Sequence, residues 1–310
     1  MTTLTPTVRL ADPRPSAART VLAIGAALST VALAIAVLGL ILDPTQLTGM
    51  PAWMKPAKFA FSIAIYLLTM RWILSFVRGH ARLLLVLSTV IVVGLIAEIF
   101  LVELQVIRGT TSHFNEATDF DAGVFYTMGG IVTIVVIATI AAGVLALLQR
   151  GLDAGLAAGL RWGIAVCVLG MLAAVTMIFN RGWNDSGGHT VGAVDGGAGM
   201  PITGWSLEHG DLRIGHFVGL HALQLLPLLA WGLARFTSLD ARSRARLLNI
   251  AGAAYTAVVV LLVWQALRGQ SLLQPDVLTL GAAAVLAVVA ATSVVVVLGQ
   301  PRRRQPPWVE

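Results

Sequence analysis

Two ionisable side chains sit where hydrocarbon is expected. Glu98 and His221 each lie about eight residues inside a long apolar segment, which at 1.5 Å per residue is roughly 12 Å below one membrane face. A carboxylate at that depth costs several kcal/mol unless it is paired, neutral or wet. A glutamate and a histidine there point to general acid–base work or a proton relay.

Helical spacing extends both positions into stripes. Glu98, Gln105 and Arg108 fall within about 80° of one another, and Glu103 lies on a different face. Further on, Arg213, His216, Leu220 and Gln224 form a stripe with His221 beside it, and HFVGLHALQ is polar for a membrane span. His216 and His221 are five apart and differ by about 140°. Two metal ligands on one helix prefer spacings of three or four. A π-bulge, or a ligand held between the two rings, would reconcile them.

These patterns give a candidate site. Glu98, His113, Asp121, Asp211 and His221 are the candidate catalytic groups. Arg108, Arg181, Arg213 and Gln224 are candidate substrate contacts, since arginine suits lipid phosphates and other anions. His113, His216 and His221 are candidate metal or haem ligands, with zinc or haem b as the possible cofactors. Plainer roles compete. Gln105 and Gln224 suit helix–helix glue, Asp119 and Asp121 suit a helix start, and Lys58 suits snorkelling. His189 and His209 read as surface loop residues, and Cys167 as a small core residue.

The elements that must position these residues are membrane helices. The chain has 310 residues, 57% hydrophobic and 12% charged, with mean hydropathy +0.85. A soluble domain is about a quarter charged. Eight apolar runs appear, at 21–42, 58–77, 83–106, 122–148, 162–180, 214–236, 247–267 and 278–298. Each can cross a hydrocarbon core of roughly 30 Å. The fold class expected is an all-α integral membrane bundle forming one domain over 1–310. The first run is too long for a signal-peptide core and reads as an uncleaved helix.

Loop charges orient the bundle. One set of ends carries Arg9, Arg14, Arg19, Arg71, Arg78, Arg82, Arg150, Arg161, Arg235, Arg242, Arg244, Arg246, Arg302, Arg303 and Arg304. The other carries Lys55, Lys58, Arg108, Arg181, Arg213 and Arg268. This positive-inside bias places both termini in the cytoplasm, and it accounts for the net charge of +6 without nucleic acid. Only two lysines accompany nineteen arginines, which suggests a high-GC bacterial genome and hence the inner membrane. His113, His189, His209, His216 and His221 then all lie on the outer side, and only His80 is cytoplasmic. The long outer loop 181–211 is rich in glycine, asparagine and aspartate, and predicts folded turns. Its SGGHTVGAVDGGAGMP run lacks the phosphate-loop GxxxxGK[ST] and the strand–helix context.

Two families with intramembrane histidines provide a comparison. Zinc hydrolases related to adiponectin receptors and alkaline ceramidases carry HxxxH on a late helix. Here HFVGLH is one residue longer, and Ser112-His113 is a partial echo of their early Ser and His. Di-haem b-type cytochromes pair four histidines, whereas His216 and His221 here allow at most one haem, with His113 completing a pair. The chain is assigned to neither. The function expected is a membrane-embedded enzyme or cofactor binder acting at the outer face on a lipid-like or small substrate. A proton-coupled transporter using Glu98 and His221, and a structural or sensory subunit, are the alternatives.

Overall fold

A computed structural model describes residues 16–300. Arg9, Arg14, Arg302, Arg303 and Arg304 lie outside the described residues. Of the described residues, 72% are helical. Its helices are α1 (Ala17–Leu42), α2 (Met54–Ile73), α3 (Ala81–Ile107), α4 (Asp119–Leu147), α5 (Ala154–Phe179), α6 (Leu212–Phe236), α7 (Ala241–Leu267) and α8 (Val277–Leu298). All eight are long and apolar enough to cross a membrane. Large apolar side chains such as Ile41, Val93, Ile137 and Val285 face outward, as expected where lipid is the solvent.

Caps set the helix starts, several of them earlier than hydropathy alone suggests. Asp153 accepts from the Gly155 and Leu156 amides, and α5 begins at Ala154 with Arg161 inside it. Asp240 accepts from the Ser243 amide and starts α7 at Ala241. Thr118 caps α4, and Asp211 caps α6. A side-chain acceptor satisfies one of the four amide donors that a helix start leaves unpaired. α2 also starts early, at Met54, so Lys55 and Lys58 both stand in its first turns.

The helices gather into two groups. α1 packs on α2 and α3, and α3 packs on α4. α5, α6 and α7 pack on one another, and α8 leans on α7. Contact between the groups is sparse, mainly α4 with α5 and α2 with α6. The most extensive pairing among the described helices is α5 with α6. Glycines explain it. A Cβ on Gly159 would stand 2.8 Å from the Leu226 carbonyl oxygen, and one on Gly170 would stand 2.8 Å from Gly219. Small residues let helix backbones approach where no hydrophobic effect drives them together.

The long loop lies on one end of the bundle, here called the loop side. Two-stranded ribbons stiffen that side: β1 (Gln46–Leu47) with β2 (Met50–Pro51), and β3 (Thr190–Val191) with β4 (Gly210–Asp211). Thr48 and Gly49, both at positive φ, turn the first ribbon. The loop docks on it closely, for a Cβ on Gly49 would come within 2.7 Å of the Gly196 carbonyl oxygen. Asn180 donates to the Gly188 and Thr190 carbonyls. The loop is thus a folded cover, as its composition predicts.

Candidate functional site

At the loop side, α2, α3 and the α3–α4 connection bring three ionisable groups together. The Lys55 Nζ lies 3.1 Å from the His113 Nδ1. An ammonium has only N–H donors, so Nδ1 must present its lone pair, and the ring proton belongs on Nε2. The Ser112 hydroxyl lies 3.0 Å from the same nitrogen. Phe59, Phe114 and Phe125 surround the ring. Burial, reinforced by the charges of Lys55 and His216, holds His113 well below the usual histidine range, so it is neutral. Glu98 is 4% exposed, and its Oε1 has no hydrogen-bond partner among the described residues. The field of Lys55 reaches it.

A second cluster sits beside the first. Asp211 accepts from the Arg213 Nε at 3.0 Å and Nη2 at 2.6 Å, and from the Ser206 amide. Burial raises the Asp211 carboxyl, but Arg213, His189 and the Ser206 amide outweigh it and hold the group below the carboxylate range. Arg213 also donates to the Gly204 carbonyl. His189 lies 3.2 Å from Asp195. Burial, aided by the Arg213 charge, pulls His189 down to about 4, against the opposing pull of Asp195 and Asp211. Lys58 donates to the Thr203 carbonyl at 2.9 Å. A cavity of about 100 Å³ opens here, lined among others by Met50, His189, Gly196, Glu208, His209 and Arg213.

The remaining expected residues fall elsewhere. Asp121 accepts from Gln105 (2.8 Å), Arg108 (2.6 Å) and Thr118 (2.6 Å), and Arg108 stacks on Phe120. This clamp closes both ends of the loop that carries His113, and its groups are committed to one another. Arg181 lies exposed, 3.9 Å from Glu116. The Gln224 side chain folds back on α6, with its amide end facing the Leu220 and His221 carbonyls.

Glu98 and His221 are not brought together. α3 packs against α1 and α4, whereas the glycine face holds α6 to α5 and α7. The His221 ring has no hydrogen-bond partner among the described residues, and its field is felt at His216. The His216 Nδ1 donates to the Gly170 carbonyl at 2.8 Å. α6 is regular through both histidines, with no π-bulge. They stay about 140° apart and do not form a chelating pair. No three His, Cys, Asp or Glu residues among the described ones are grouped to hold a metal. The donor set does not fit zinc.

Of the residues in these clusters, Lys55 and Asp195 are not among the candidates singled out from sequence, whereas His189 reads there as a surface loop residue and Lys58 as a snorkelling residue. One signal could have found the two lysines. A chain that uses arginine nineteen times keeps lysine only at 55 and 58, one helical turn apart. No protein-family model, curated protein or solved structure matches the chain, so the site is read from its own geometry.

Proposed function

We propose that this polytopic membrane protein is an acid–base enzyme whose reacting groups are Lys55, Glu98 and His113, acting on a lipid-like or small substrate from the loop side. The observation that carries the reading is the Lys55–His113 hydrogen bond, made to a neutral imidazole beside a buried carboxylate oxygen that has no partner among the described residues. In this scheme Glu98 takes a proton from the substrate and the Lys55 ammonium gives one. The His113 lone pair orients Lys55. The fully buried carboxylates among the described residues, Glu98, Asp121 and Asp211, are all on the loop side. That one-sidedness favours an enzyme over a carrier, which needs access from both faces. The arginines at the opposite ends, from Arg19 and Arg71 to Arg242 and Arg246, support an orientation with the loop side outside a bacterial inner membrane and the termini in the cytoplasm.

Solvent-label transfer tests this. Wild type and Lys55→Met are placed in nanodiscs of bacterial total polar lipid with a soluble metabolite extract, in D₂O or H₂¹⁸O. Mass spectrometry should find a species that gains label with the wild type and not with the variant. Identical spectra from two equally stable proteins would overturn the proposal.

A further inference from the structure

The two helix groups are built alike. Each runs helix, two-stranded ribbon, then three helices: α1, β1–β2, α2, α3, α4, and again α5, β3–β4, α6, α7, α8. The packing repeats as well. α1 lies on α2 and α3 while α3 lies on α4, and α5 lies on α6 and α7 while α7 lies on α8. α1 and α5 are both 26 residues long, and α3 and α7 both 27.

Residue by residue, α3 and α7 stay in register. Ala81-Arg82 opens one and Ala241-Arg242 the other. At their far ends QVIRG (Gln105–Gly109) recurs, at the same offset, as QALRG (Gln265–Gly269). The two motifs make the same bonds. The Gln105 and Gln265 side-chain amides donate to carbonyls six residues on, those of Thr111 and Ser271. Their backbone carbonyls accept from the Thr110 and Gln270 amides. Gly109 and Gly269 turn the chain at φ +72° and +74°. Arg108 and Arg268 each pair with an aspartate at the start of the next helix, Asp121 and Asp276. Burial follows the same register. The buried residues of α7 are Leu248, Gly252, Val259, Gln265 and Ala266, and the matching Ser88, Val92, Ile99, Gln105 and Val106 are all buried in α3. α2 and α6 also correspond, with Lys55-x-x-Lys58-Phe59 in one and Arg213-x-x-His216-Phe217 in the other, each beginning at the second residue of its helix. With four spans apiece, the halves share one orientation and are related by an axis along the membrane normal.

The positions that do not match are the reacting ones. Glu98 corresponds to Val258, and the connection from Arg268 to Asp276 has no histidine where that from Arg108 to Asp121 has His113. The unit folds without either group in its second copy but keeps the glutamine–arginine clamp in both. We infer that the chain is an internal duplication of a four-helix unit, in which the shared clamp positions the loop-side connections and only the first copy carries the reacting pair Glu98 and His113. The assignment of that pair rests on the acid–base reading; the duplication does not.

Substitutions at matched positions of the full-length protein test both parts. In hydrogen exchange followed by mass spectrometry, Gln105→Leu should speed exchange about tenfold over 109–114, and Gln265→Leu should do the same over 269–274, each in its own half. If either variant does not fold, Gln105→Asn and Gln265→Asn, too short to reach the same carbonyls, replace them. Glu98→Val, which installs the residue of the second copy, should leave the unfolding temperature in micelles unchanged or higher and abolish solvent-label transfer. Faster exchange in one half only would overturn the duplicated clamp. A Glu98→Val protein as unstable as Gln105→Leu would make Glu98 a structural group and overturn the division between the copies. Matched exchange without any labelled product from the wild type removes the acid–base reading and leaves the duplication standing. A labelled product with unmatched exchange does the reverse.

Discussion

Removing the two partners of the Lys55–His113 pair should have unequal effects. His113→Leu keeps the apolar bulk among Phe59, Phe114 and Phe125 but takes away the acceptor facing the Lys55 ammonium at 3.1 Å. A hydrogen bond to a charged group contributes about 1.5–3 kcal/mol, and an orphaned partly buried charge sits at the upper end. We expect His113→Leu to destabilise the protein by about 2–3 kcal/mol. Lys55→Met removes the charge itself, and His113 keeps the Ser112 hydroxyl, so its expected cost is below about 1 kcal/mol. The double variant should resemble Lys55→Met alone, giving a coupling energy of about 2 kcal/mol. Reversible unfolding in mixed micelles, run as a double-mutant cycle, measures this. Additive effects, with coupling below about 0.5 kcal/mol, would show that the contact carries no energy and would refute the reasoning. A Lys55→Met protein more stable than wild type would fit a lysine retained for chemistry at the expense of stability.

The packing and the charges lead to two further outcomes. Gly170→Ala would press a Cβ to within 2.8 Å of Gly219 and displace the carbonyl that holds His216; unfolding assays should show a loss of about 1–3 kcal/mol, whereas Gly232→Ala, with nothing within 4 Å, should be neutral or slightly stabilising. His189 is neutral in the folded protein with its pKa down at about 4, against 6.5 when unfolded. The unfolded chain therefore binds more protons between those values, so stability should be complete above about pH 6.5. It should fall as the solution is acidified toward pH 4, and His189→Gln should flatten that slope in a pH series of unfolding curves.

The membrane fold was legible because hydropathy is a property of contiguous residues. Eight runs long enough to span the bilayer need no knowledge of neighbours. Helix starts were misplaced where a polar cap and a first turn lie ahead of the apolar run, as at Asp153 with α5 and Asp240 with α7. The depth of Glu98 in its apolar run places the carboxylate away from water, and it is buried; His113 is a candidate from its place in the outer loop. Their partner could not be read off. Which helix faces Glu98 depends on long-range packing, and α6, which carries His221, is drawn to α5 by Gly159, Gly163 and Gly170. Those glycines recur at four- and seven-residue intervals, a pattern visible in the sequence that marks a face of α5 suited to close packing. Asp121 is expected as a catalytic group and Arg108 as a substrate contact, but the clamp they form is set by the turn at Thr118, which spacing alone does not show.

The division into two helix groups has a consequence for how the protein is made. Lys58 belongs to the first group and the Thr203 carbonyl that it holds comes 145 residues later, just before the second group's α6. At roughly 5–20 residues per second, a growing chain needs about 7–30 s to cover that distance. For that interval the lysines of α2 must be tolerated in a half-built bundle. Their place in the first turns of the helix makes this possible, since a lysine there can extend its ammonium back to the headgroup region. The same side chains two turns deeper would have no water to wait in.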